Sequence, residues 1–76
     1  MKNGKVKLTR EAVMKAAKAT DRTAGEFIRA KILEGKLDTK AIADACRKAF
    51  KGSKATAADV YWNRNYLKQH GIKLAA

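Results

Sequence analysis

The chain has 76 residues, 46% of them apolar, and its 18 Lys and Arg against seven Asp and Glu give a net charge of +11. This length allows one small domain with a thin core, and the apolar share excludes a disordered tail. No apolar run approaches the roughly 20 residues that cross a membrane, and no apolar signal segment follows the N-terminal lysines. The lone Cys46 excludes an intrachain disulfide, which fits a reducing compartment. We therefore expect a cytoplasmic protein.

The N-terminal residues 1–8 are basic and precede the helical part of the sequence. Val6 and Leu8 alternate with lysines there, a pattern compatible with a short strand. We expect these residues to form a flexible arm and residues 9–76 to form a single helical domain.

Capping signals predict two helices in the first half of that domain. Thr9 caps a first helix over Arg10–Thr20. Thr23 and Glu26 have the spacing of a capping box, and the second helix that follows is apolar on most sides. We expect this helix to be the buried centre of the fold and to end at Gly35.

Two further helices are predicted in the second half. Asp38 or Thr39 caps the third helix, which runs to about Phe50. Thr56 caps the fourth helix, and Gly71 ends it in a Schellman motif. The sequence therefore predicts an all-α fold, a compact bundle of four helices with a helix-turn-helix in its C-terminal half.

The fourth predicted helix separates two kinds of residue. Its inner side is expected to pack in the core and holds Val60, Trp62, Asn63, Tyr66 and Leu67. Its outer side holds Tyr61, Arg64, Asn65, Lys68 and Gln69. Arg, Lys, Asn and Gln are the side chains that hydrogen-bond base edges in the major groove of DNA, so this helix predicts nucleic-acid recognition.

The charge is concentrated at the two ends of the chain. Residues 1–18 carry six positive and one negative side chain, residues 19–44 carry five of each, and residues 45–76 carry seven positive and one negative. A merely solvated surface usually mixes the signs, so the segregation favours a face that meets a polyanion. Double-stranded DNA is the expected partner, and an acidic partner protein is the alternative.

The predicted contacts with DNA fall into three groups. Base or near-base contacts are assigned to Tyr61, Arg64, Asn65 and Lys68. Phosphate contacts are assigned to Arg47, Lys48, Lys51 and Lys54, helped by the amides of Ser53, Lys54, Thr56 and Ala57. Contacts along the backbone or in a minor groove are assigned to Lys2, Lys5 and Lys7.

A resemblance to a known class supports this assignment. Two capped helices, Thr39–Phe50 and Thr56–His70, flank the turn FKGSKAT at residues 50–56, and VYW and GI follow at residues 60–62 and 71–72. Over roughly residues 23–74 the chain resembles small tri-helical helix-turn-helix and winged-helix DNA-binding modules of bacteria and phages. The resemblance implies a transcriptional regulator or architectural protein, nucleoid-associated and often a homodimer, whose second helix enters the major groove.

The chain departs from that class at two points. Its turn is longer than the turn of the simplest helix-turn-helix, and the tail after Gly71 is too short for a full wing.

A second resemblance is carried by KVKLT at residues 5–9 and ATDRTAGEFIR at residues 19–29, which are similar to ribbon-helix-helix repressors. That alternative implies a dimer that reads DNA through Lys5 and Lys7, but it leaves residues 38–76 unexplained.

Catalysis and cofactor binding have little support in the sequence. Cys46 and the single His70 do not make a zinc site, which needs about four ligands. The only serine, Ser53, has no base near it in sequence, and no carboxylate pair has a spacing that suggests acid–base chemistry. We therefore expect no enzyme and no cofactor. RNA binding is a third option, although the aromatic sheet platform of common RNA modules is not predicted.

Overall fold

A computed structural model describes residues 9–74. This range contains four α-helices, α1 (Arg10–Ala16), α2 (Ala24–Glu34), α3 (Thr39–Ala49) and α4 (Ala57–Gln69), and all its regular secondary structure is helical. The all-α prediction is confirmed. The predicted arm with Lys2, Lys5 and Lys7, and the short strand considered there, lie outside the described residues. Between residues 9 and 74, no helix combines the length and apolar character that a membrane crossing requires.

The capping signals of α2 hold it at both ends as predicted. The Thr23 hydroxyl accepts from the Glu26 amide at 3.2 Å, and the Glu26 carboxylate accepts from the Thr23 amide at 2.7 Å. These two bonds satisfy donors that the first turn leaves free. Gly35 ends the helix with a φ of 69°, the left-handed conformation that glycine adopts without a Cβ clash.

The ends of α3 and α4 follow the same chemistry. Asp38 caps α3 by accepting from the Ala41 amide at 2.8 Å. At the end of α4 the Ile72 amide donates to the Leu67 carbonyl at 3.1 Å, and the Gly71 amide donates to the Lys68 carbonyl at 3.0 Å. This pair of bonds is the Schellman motif that the sequence predicted.

Helix α1 is shorter than predicted, since it ends at Ala16 rather than Thr20. Only Val13 and Ala17 of its apolar stripe are buried, and Thr20 is exposed. The Arg22 guanidinium donates to the Ala17 carbonyl at 3.1 Å, which satisfies the helix end. A further turn would bury no more surface, and short helices depend on such packing.

The core is built around α2, which packs against each of the other three helices. Its buried residues Ile28, Ile32 and Leu33 meet Ile42 and Cys46 of α3 in one cluster. Cys46 is fully buried, as expected of a small apolar residue. The prediction that α2 is the central helix is confirmed.

The connection between α3 and α4, residues 50–56, is tied to α3 by hydrogen bonds. An Arg47 guanidinium nitrogen donates to the Ala55 carbonyl at 2.5 Å. The Ala55 amide donates to the Ser53 hydroxyl at 3.3 Å, and Ala55 itself is buried. These contacts fix where α4 begins, although the connection is longer than a minimal helix-turn-helix turn.

Candidate nucleic-acid interface

Helix α4 turns a narrow stripe inward and a broad face outward. Its buried residues are Val60, Asn63 and Leu67, which pack toward α2 and α3. The side chains opposite them form what we call the outer face, whose members are exposed except for the half-buried Tyr66: Tyr61, Trp62, Asn65, Tyr66, Lys68 and Gln69. The prediction that Tyr61, Asn65 and Lys68 point away from the core is confirmed.

The position of Trp62 was predicted wrongly. Its side chain was expected in the core, but it is 63% exposed. At 3.6 residues per turn, Trp62 lies about 160° around the helix from Val60, so both cannot face the core unless α4 is buried nearly all round. The structure buries the stripe around Val60 and Leu67, and Trp62 therefore belongs to the outer face.

A buried polar contact explains this orientation of α4. Asn63 is 5% exposed and its amide group donates to the Asp59 carbonyl at 2.8 Å. Its oxygen accepts from the Arg29 guanidinium of α2 at 2.9 Å. A buried carboxamide needs such partners, and the bond from Arg29 ties Asn63, rather than Trp62, to α2.

The aromatic residues of the outer face form a column along α4. The rings of Trp62 and Tyr66 are stacked, with centroids 5.5 Å apart and planes 12° from parallel. His70 continues the column at 4.6 Å from Tyr66, with its ring tilted by 56°. The Arg29 guanidinium lies 5.1 Å from the Tyr66 centroid, a favourable cation–π distance.

A row of carboxamides runs beside this column. Asn65 and Gln69 are one turn apart and exposed. Together with Trp62 and Tyr66 they line a shallow cleft of about 190 Å³. The cleft therefore places flat apolar rings next to groups that both donate and accept hydrogen bonds.

Arg64 is less available than the sequence suggested. Its side chain is half-buried at the edge of the inward stripe, and its Nε is shielded from solvent with no hydrogen-bond partner among residues 9–74. Arg64 follows Asn63 and lies within a turn of Val60 and Leu67, which explains its partial burial. Asn65 and Gln69 occupy the centre of the outer face instead.

The basic residues before α4 differ in how they are engaged. Lys48, Lys51 and Lys54 are exposed, and none of them forms an ion pair within the described range. Arg47 also has an exposed side chain, but its guanidinium is bonded to the Ala55 carbonyl and to the Asp44 carboxylate. The three lysines are thus better placed for phosphate than Arg47.

The amides around the start of α4 are not all free, contrary to expectation. The Ser53 amide donates to the Phe50 carbonyl at 3.1 Å, and the Thr56 amide donates to the Asp59 carboxylate at 2.9 Å. Asp59 also places a negative charge at this helix end, which opposes a phosphate there. Phosphate binding in this region therefore depends on the lysine side chains.

Sequence reasoning missed two residues of this surface, namely Trp62 and Arg29, and it placed Gln69 on the outer side of α4 without assigning a contact to it. Trp62 could have been found from its angular distance to Val60. Arg29 gave no such signal, because its role depends on the packing of α2 against α4.

Comparisons with protein-family models, characterised proteins and solved structures find no match for this chain.

Proposed function

We propose that this domain binds double-stranded DNA, with the outer face of α4 toward the bases and exposed lysines on the phosphates. One observation carries the proposal: the outer face presents Asn65, Lys68 and Gln69 to solvent, and the exposed Lys48, Lys51 and Lys54 before α4 lack carboxylate partners in residues 9–74. A helix that offers such donors and acceptors matches the base edges of a major groove.

The net charge supplies the rest of the affinity. The chain carries +11, and the described residues contain two ion pairs, Lys31–Glu34 and Asp44–Arg47, so most positive charge is not neutralised within the fold. Lysines that neutralise phosphates release condensed counterions from DNA, which drives binding at low salt. The role that follows is a transcriptional regulator or an architectural DNA-binding protein, acting alone or as a homodimer.

A salt titration tests this function. The affinity of the chain for a random-sequence duplex is measured by fluorescence anisotropy at several salt concentrations. If about six phosphates are neutralised, the slope of log affinity against log salt should be about −5. A flat response, or no binding at low salt, would overturn the proposal.

An acidic partner protein is the second candidate, and one observation favours it. Tyr61 and Trp62 are 56% and 63% exposed, and such residues are enriched at the energetic centres of protein interfaces. The basic surroundings would select a partner with an acidic surface. The same titration separates the two candidates, because this partner predicts no strong binding to DNA.

A further inference from the structure

The Trp62 ring has one covered face and one open face. Tyr66 covers the side toward the C-terminus of α4, with centroids 5.5 Å apart. The opposite side is turned toward the preceding turn, where the residue at i−4 is Ala58, an exposed residue whose methyl group is too small to cover an indole. The ring is accordingly 63% exposed although its stacking partner is in place.

The covered side of the ring is held by a chain of contacts that reaches the core. The Asp59 carbonyl fixes the buried Asn63, Asn63 accepts from Arg29, and the Arg29 guanidinium lies 5.1 Å from the Tyr66 centroid. Tyr66 in turn stacks on Trp62. An exposed aromatic side chain supported in this way loses little conformational entropy when a second flat group stacks on it.

The open ring and the charge of the chain define the chemistry of the ligand. An indole face that is open to solvent can stack on a nucleobase, since every base has a π-face. The net charge of +11 selects a ligand that is also a polyanion. A nucleobase on a phosphate backbone combines the flat face and the negative charge.

We propose that the open face of Trp62 is a stacking site for an unpaired nucleobase. This inference rests on the proposed nucleic-acid binding and narrows it. In an intact duplex both faces of a base are covered by its neighbours, so the ring can be used only by a single strand or by a base turned out of the duplex. The domain should therefore prefer DNA that contains unpaired bases.

The test compares two oligonucleotides of equal length and charge. One is oligothymidylate, and the other carries abasic sites in place of its bases. Trp62 is the only tryptophan in the chain, so its fluorescence reports stacking directly. We expect quenching by oligothymidylate and not by the abasic strand. Anisotropy of the labelled strands should show an affinity about 5- to 150-fold higher for oligothymidylate, the range for one base–aromatic stack.

Three variants assign the effect to the ring. Trp62→Ala should lower the affinity for oligothymidylate to that for the abasic strand, whereas Trp62→Phe should keep most of the difference. Lys54→Ala is the matched control, since loss of one charge should weaken both strands alike. Because Trp62 is exposed, these substitutions should leave the fold intact, and the circular dichroism spectrum of each variant verifies this.

Three outcomes overturn the inference and can be told apart. Equal affinity of the native chain for both strands, together with salt-dependent duplex binding, removes the stacking site and leaves the proposed function standing. No binding to either strand or to duplex removes both. An unchanged preference for oligothymidylate in a folded Trp62→Ala variant also refutes the role of the ring.

Discussion

The Arg29 guanidinium of α2 donates to the Asn63 oxygen of α4 at 2.9 Å, and the same guanidinium lies 5.1 Å from the Tyr66 centroid. One cation thus joins the buried polar contact between the helices to the aromatic column on the outer face. The bond helps to orient α4, since it places Asn63 against α2 and leaves Trp62 on the outer face.

The first prediction concerns this bond. Asn63→Ala should lower the free energy of unfolding by about 1–3 kcal/mol, because it leaves Arg29 without its partner and removes a buried carboxamide. Urea unfolding followed by circular dichroism measures the change. Asn65→Ala is the control on the same helix, and its effect should stay within about 0.5 kcal/mol because Asn65 is exposed. Equal losses for both variants would contradict the role given to Asn63.

The second prediction concerns the end of α4. Gly71 has a φ of 78°, and a Cβ added there would meet no atom within 4 Å. Gly71→Ala should therefore cost about 1 kcal/mol through backbone conformation alone. Gly71→Asn should cost less, since asparagine tolerates the left-handed region better. Thermal unfolding of the two variants shows which one loses more stability. A greater loss for Gly71→Asn than for Gly71→Ala would refute the explanation.

The third prediction separates two neighbouring basic residues. Arg47→Ala should lower the free energy of unfolding by about 1 kcal/mol, because Arg47 holds the Ala55 carbonyl at the start of α4. Lys48→Ala should leave stability unchanged and weaken DNA binding, since Lys48 is exposed and forms no ion pair in the described part of the chain. Urea unfolding and duplex anisotropy on both variants measure the two effects. A Lys48 variant that binds duplex as tightly as the native chain would exclude that phosphate contact.

The fourth prediction distinguishes base contacts from phosphate contacts. A preferred duplex is first selected from a random pool. Asn65→Ala should then weaken the preferred site by about 1–3 kcal/mol more than a random one, as for loss of one paired contact with a base. Lys54→Ala should weaken both duplexes alike. If Asn65→Ala also weakens both alike, the outer face does not read bases.

The helices could be predicted from local chemistry, because the signals that begin and end them lie within a few residues. The capping box at Thr23 and the Schellman motif at Gly71 are examples. The length of α1 could not be predicted in this way, because its last turn depends on whether Thr20 has a surface to pack against. Only the assembled fold shows that Thr20 has no such surface.

The candidate site could be predicted in part. The sequence identified α4 as the informative helix and placed Asn65 and Lys68 on its exposed side. It misplaced Trp62 and overstated the exposure of Arg64, because hydrophobicity alone assigned the indole to the core. The rotation of α4 is fixed by the burial of Val60 and Leu67 together with the Arg29–Asn63 bond. That bond joins residues far apart in sequence and has no local signature.

The most direct test of duplex binding through α4 is a map of NMR chemical-shift changes as a short duplex is added to the isotope-labelled chain. The largest changes are predicted on the outer face, in the side-chain amides of Asn65 and Gln69, with smaller changes at the exposed lysines before α4. Changes concentrated on α1 and α2, with these signals unmoved, would contradict the proposed binding.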